Sequence, residues 1–416
     1  MKADGAGTKS ALNSEDPLSD TGSRMHGLEI ESDDDDGDGD GDMSNPAEVF
    51  RMYSLQHEVA VARHRTYILH MNASVTSNPR VAVALSDQSC AIYDVTQLSK
   101  VETLCGHKGT VVNVRFSPGD ESLVYSASSD GTIKLWDLRI GNQSAKEFKD
   151  DTEDSEKLKP LSDFDIAADG RFICGGTELI HDDAFLLFWD IRSTNLLGGY
   201  WESHTDDITQ VCFHPTKPDT LASGSTDGLM NIFDISKACE EDALQLSLNT
   251  ESSVAKIGWF PRESGSDMLS CITHTEDLQL WTSDGAYPFV QFSREKICHS
   301  MQRKLVESCF IVDAHQTNTL GEVLLLTTAG RGECLRTLAV NKNKLKPLSS
   351  LAGNKQIVRT SWYDRNSELL LTGGEGGLLS LWKPSTHSET DLGTNLKVNC
   401  YEVQTLSTAL LPEALK

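Results

Sequence analysis

No two cysteines in this chain stand in a C-x-x-C pair; all ten are dispersed, at positions 90, 105, 174, 212, 239, 271, 298, 309, 334 and 400. That scatter excludes a zinc knuckle or a disulfide framework and reads as reduced, mostly buried thiols in an intracellular protein, cytoplasmic or nuclear. Long apolar runs are missing too. AFLLFW at 184–189 is far too short to span a bilayer, and MKADGAGTKSALNSEDPLSD has no apolar core for a secretory signal, so the sequons at Asn72 and Asn142 are read as silent. Basic residues are scarce, with 37 Lys+Arg against 62 Asp+Glu and a net charge of −25. Such a balance repels phosphate backbones and anionic membranes, which argues against direct nucleic-acid or membrane binding. Neither a phosphate-cradling Gly-rich loop nor H-E-x-x-H nor G-x-S-x-G occurs. No catalytic residue, metal or cofactor is therefore assigned.

Hydrophobic residues at 38% with seven Trp supply enough material for a substantial core. It does not begin at once. Residues 1–48 hold 14 acidic and three basic residues, a net of −11, and are read as a disordered acidic tail. Asp36, Asp38, Asp40 and Gly41 match the first half of an EF-hand loop, but its twelfth position falls on Ala47 in place of a bidentate Glu. The run is read as solvated charge. Ser32, followed by Asp33, Asp34 and Asp35, has the pattern of an acidophilic kinase site.

From residue 81 the chain turns to short β-rich runs bounded by Gly, Asp, Asn and Ser, with no sustained helical period. SSDGTIKLWDLR at 128–139 is the clearest, and related phrases recur at aromatic markers Tyr93, Trp136, Trp189, Phe233, Trp281 and Trp382, spaced 43, 53, 44, 48 and 101. The last gap holds two units, with EVLLLTTAGRGECLRTLAV at 322–340 supplying the degenerate one, so the count is seven. A period in the forties with four short strands per unit predicts an all-β, seven-bladed propeller, because a small sheet hides both faces only when neighbours stack on them. The units are placed near 58–95, 106–140, 161–195, 204–248, 252–290, 305–346 and 355–384, within a propeller of 49–390 followed by a C-terminal extension at 391–416. A closing strand is sought in EVAVAR at 58–63 or TYILHM at 66–71.

These residues resemble the WD40-repeat family. Gly106-His107, Ser126, Asp130 and Trp136-Asp137 match its Gly-His, strand Ser, turn Asp and closing Trp-Asp. The resemblance implies a buried structural hydrogen-bond network of His107, Ser126, Asp130 and Trp136, repeated by His204, Ser223 and Asp227 with Phe233 in place of Trp. A hydrolytic Ser-His-Asp triad would need an exposed nucleophile and an oxyanion site, whereas this order and spacing match repeat scaffolding.

The resemblance also implies a monomeric, non-enzymatic protein-interaction scaffold. In the family topology, the loops entering each first strand and those joining strands two and three share one face. Asp182, Asp183, Asp206 and Asp207 would gather there, beside the insertion 142–160, as candidate contacts for a basic protein segment. Arg139 and Arg192 close two W-D-x-R strings that resemble the box with which some propellers dock on cullin-RING ligase adaptors, although many ordinary repeats end the same way. The alternatives are thus a ligase substrate receptor or an unrecognised enzyme with its site at the central channel.

Overall fold

A computed structural model describes residues 42–385, apart from 44, 63–64, 75–77, 151, 153–157, 263–264, 319–321 and 342. The acidic run through Gly41, including Ser32 and the Asp36-to-Gly41 stretch, and the extension 391–416 lie outside the described residues.

Strands in this chain are short, three to ten residues, because Asp-Gly, Ser-Asp and related turn residues interrupt the apolar runs. They form seven antiparallel four-stranded blades. Blades 1 to 6 run over 68–105, 111–149, 161–200, 208–249, 254–292 and 309–351. Blade 7 takes three strands from Val358–Asp364, Leu369–Gly374 and Leu378–Pro384, and its fourth from Arg51–Ala60. The first strand of each blade contacts the first strand of the next, and that of blade 7 contacts that of blade 1, so the ring is closed.

Markers Tyr93, Trp136, Trp189, Phe233, Trp281 and Trp382 all sit in third strands. They lie opposite Val81, Val124, Ile173, Leu221, Leu269 and Leu370 of the second strands. All six are buried to within 1% of full enclosure. Blade 6 has no aromatic in its third strand, Cys334–Asn341, and buries Leu338 and Val340 on one face and Leu335 on the other.

Two kinds of contact lock neighbouring blades. Apolar side chains interdigitate between sheets, as where Phe148 and Tyr125 of blade 2 share a cluster with Phe164, Leu161 and Trp189 of blade 3. Glycine permits the closest approach. A Cβ on Gly224 would lie 2.7 Å from Val254 of blade 5, and one on Gly373 would lie 2.7 Å from Ile68 across the junction that closes the ring. The second kind is polar: a first-strand side chain accepts a backbone N–H from the next blade. Phe116 N–H donates to Asn72 at 3.0 Å, Val211 N–H to Asp163 at 3.0 Å, Phe213 N–H to Asp165 at 2.8 Å, Ile257 N–H to Gln210 at 2.8 Å and Ser361 N–H to Asp313 at 2.7 Å.

Two boundary expectations are corrected. The closing strand, Arg51–Ala60, begins before EVAVAR and takes only Glu58–Ala60 of it, and TYILHM instead leads into Ile68–Ser74, the innermost strand of blade 1. Arg51–Ala60 pairs antiparallel with Leu378–Pro384 from Tyr53↔Pro384 to Ala60↔Leu378, while Arg51–Tyr53 run parallel to Ser349–Leu351 of blade 6. An outermost strand keeps one side in water, so RMYSLQHEVA carries no strong apolar signal. For the same reason the sequence boundaries of blades 1, 2 and 3 stop short of their largely exposed fourth strands, Lys100–Cys105, Ser144–Lys149 and Leu196–Tyr200.

Candidate functional site

The polar network of blade 2 begins in the loop entering its first strand. His107 Nε2 lies 2.7 Å from Ser126 Oγ, and Trp136 Nε1 donates to the same oxygen at 2.8 Å. On the other side of the ring, His107 Nδ1 meets Asp130 at 3.2 Å, and that carboxylate also accepts the Lys108 N–H at 2.7 Å and the Thr132 hydroxyl at 2.7 Å. Burial alone would raise the Asp130 pKa, but the hydrogen bonds from His107, Lys108 and Thr132 outweigh it and hold the carboxyl far below its usual range. Blade 4 repeats the geometry with His204 to Ser223 at 2.7 Å and to Asp227 at 3.0 Å. Where the indole is missing, Asn231 takes over: its amide lies 3.3 Å from His204 Nε2 and donates to the Ser203 carbonyl at 2.7 Å. The sequence did not single out Asn231, although it occupies the strand position of Lys134 in blade 2. None of these serines is exposed, as a nucleophile would have to be.

The four candidate aspartates divide into two pairs. Asp182 and Asp183 are exposed at the tip of the loop between the second and third strands of blade 3, where Ile180 and Asp183 form a single bridge. Asp206 and Asp207 are half-buried in the loop entering blade 4. Asp207 accepts the Leu179 N–H at 2.6 Å, a bond that ties the two loops together, and Asp206 accepts the Asp207 N–H at 2.8 Å. Glu178, Glu202 and the apolar Leu179 and Trp201, 39% and 51% exposed, stand in the same two loops. Among the described residues, none of Glu178, Asp182, Asp183, Glu202 or Asp206 is in an ion pair. Elsewhere on the rim, Asp120, Asp137, Asp169, Asp190, Asp219 and Asp234 each meet Arg or Lys.

A family model described as WD domain, G-beta repeat matches residues 98–137 and 197–234, the two stretches that end in the third strands of blades 2 and 4. This is a WD40-repeat protein. It is similar to WD repeat-containing protein GTS1 of Arabidopsis thaliana, 28% identical over 82% of this chain and 87% of that one. It is also similar to the WD repeat-containing protein 89 homolog of Dictyostelium discoideum, 25% identical over 79% of this chain and 86% of the relative. An uncharacterized WD repeat-containing protein of Schizosaccharomyces pombe is 25% identical over 74% and 99% of the two chains.

Within this WD40 frame, Arg139 and Arg192 are turned back on their own strands. Arg139 grips Asp137 with two bonds of 2.8 Å, and Arg192 grips Asp190 at 3.2 and 3.0 Å, with both side chains largely in water. At the mouth of the channel a cavity of about 420 Å³ is lined by Tyr67, Leu69, His70, Val112, Arg359 and Glu375. Arg359 and Glu375 pair with each other at 2.7 Å. Burial, reinforced by Lys256 and Arg115, pushes the His70 imidazole down to about 3, which makes it a weak base at neutral pH. No helix among the described residues is long and apolar enough to cross a membrane.

Proposed function

We propose that this WD40 protein is a non-enzymatic interaction scaffold whose blade 3 and blade 4 loops receive a Lys- or Arg-rich segment of a partner protein. The observation that carries this reading is the Asp207 to Leu179 bond. It brings two acidic loops together, and their exposed carboxylates lack the cations that neutralise other rim aspartates. Unpaired carboxylates in a fixed loop give a basic ligand charge-assisted hydrogen bonds without first breaking internal pairs. Leu179 and Trp201 add apolar surface for the stems of Lys and Arg. Arg139 and Arg192 do not enter this reading, because each already satisfies its own strand's carboxylate.

The test is Asp182→Lys/Asp183→Lys in the full chain, titrated with an arginine-rich peptide and used to capture partners. Asp207 must be left intact, since its carboxylate is structural. The double reversal is expected to weaken peptide binding by roughly tenfold or more, as exposed charge pairs are worth up to about 1 kcal/mol each, with no loss of thermal stability. Unchanged peptide affinity and an unchanged set of basic partners would refute the assignment.

A further inference from the structure

Third strands of a propeller blade are buried, and a cation there needs a counter-charge. Lys134 in blade 2 finds Glu147 on the adjacent strand of its own blade. Arg336 in blade 6 has no such neighbour. Its side chain is 4% exposed, and among the described residues the carboxylate it meets is Asp42, from the segment preceding the closing strand. Arg336 Nη2 donates to Asp42 Oδ2 at 2.8 Å, while Arg303 Nη1 donates to Asp42 Oδ1 at 3.1 Å. Arg336 also donates to the Met301 carbonyl, and its guanidinium lies 4.7 Å from the centre of the Phe50 ring. Asp42 thus bridges two enclosed guanidiniums, and among the described residues the buried Arg336 Nε–H has no acceptor.

The segment that delivers Asp42 is held in an extended manner. Asp42 forms an antiparallel bridge with Arg303, and Met43 N–H donates to the Gln302 carbonyl at 3.0 Å. The cleft continues as a cavity of about 470 Å³ bordered by Asn45, Met52, Ser350 and Gly353, with Glu333 the one other acidic residue on its wall. Two arginines, a short stretch of strand pairing and adjoining open volume make up the equipment for an extended peptide that presents a carboxylate.

We propose that the cleft between Arg303 and Arg336 is a recognition site for an extended acidic peptide of a partner, and that Asp42 occupies it in cis as a competing ligand. The cis ligand limits access: a partner's carboxylate must displace Asp42, whose attachment keeps its local concentration high. In sequence, Asp42 closes a run in which Asp recurs at every second position from Asp36, so the chain carries several copies of the recognised side chain.

The experiment uses the full chain and a fluorescein-labelled peptide copying residues 33–45, followed by anisotropy at fixed salt. In a background with Asp36, Asp38 and Asp40 already changed to Asn, Asp42→Asn removes the last carboxylate of the alternating run from the two guanidiniums and is expected to bind the peptide about tenfold tighter than the background protein. Asp42→Asn/Arg303→Gln is expected to lose that gain, and a peptide with every Asp changed to Asn is expected not to bind. No gain in Asp42→Asn, or a gain that survives Arg303→Gln, overturns the proposal. Should the double variant fail to fold, Asp42→Glu serves as the second arm. It keeps the carboxylate and must stay near the starting affinity, and a gain equal to that of Asp42→Asn overturns the proposal too. Neither result bears on Asp182 and Asp183, which lie on blade 3.

Discussion

Ser126→Ala tests whether one hydroxyl is the hub of the blade 2 network. The indole of Trp136 can only donate, so it uses one lone pair of Ser126 Oγ at 2.8 Å; the serine proton is then free for His107 Nε2 at 2.7 Å, and His107 Nδ1–H faces Asp130. Removing the hydroxyl strands both the indole N–H and the imidazole nitrogen in a site that water does not reach. At about 1–3 kcal/mol for each of these two unsatisfied buried groups, the cost is about 2–6 kcal/mol. Ser223→Ala is the internal control. Phe233 makes no demand on Ser223, and His204 keeps Asn231 at 3.3 Å, so only one group is partly stranded and about 1–2 kcal/mol is expected. Equilibrium urea unfolding with an unchanged slope reads the difference. A double-mutant cycle with Trp136→Phe sharpens it: in that background, which copies blade 4, Ser126→Ala should cost clearly less than it does alone. Equal costs for Ser126→Ala and Ser223→Ala, or additivity with Trp136→Phe, would refute the hub.

The remaining expectations concern contacts between blades. Burial pushes the Asp163 carboxyl up to about 6 in spite of Arg115 and the hydrogen bonds from Val211 and Asn113. A carboxyl raised in the folded state binds a proton that the unfolded chain has released, so its contribution to stability falls as pH rises from about 4 to about 6 and is level above that. Relative to the unaltered protein, Asp163→Asn should therefore gain up to about 3 kcal/mol over that window in urea unfolding; a pH-independent difference would refute the assignment. Gly373→Ala places a Cβ 2.7 Å from Ile68 and 2.8 Å from Met71 at the ring-closing junction. Overpacking there should cost about 1–3 kcal/mol in the same assay, and Ile68→Val should recover part of it.

Much of this architecture is legible in the sequence because its strongest signals sit where burial is complete. The marker aromatics and the His107, Ser126 and Asp130 set occupy enclosed positions that allow few residue types, so they repeat visibly. Fourth strands and the closing strand Arg51–Ala60 carry weak signals because one side faces water and many residues serve there. Blade 6 was harder still: it keeps shape with aliphatic residues and has no aromatic in its third strand.

The acidic loops show where a sequence stops being informative about a surface. Asp206 and Asp207 are adjacent and chemically identical, yet Asp207 holds the Leu179 N–H and helps set the loop, while the Asp206 carboxylate accepts only its neighbour's N–H. Asp42 is a further case: among the described residues it is the carboxylate that meets Arg336, 294 positions away in the chain. Charge counting assigns all these carboxylates to one solvated class. What distinguishes them is a long-range backbone or guanidinium donor, and that is set by how the ring closes. The surface proposed for a basic partner is therefore defined by carboxylates the blades leave without a cation, Asp182 and Asp183, whereas the proposed cis ligand Asp42 is the opposite case, a carboxylate held by two guanidiniums.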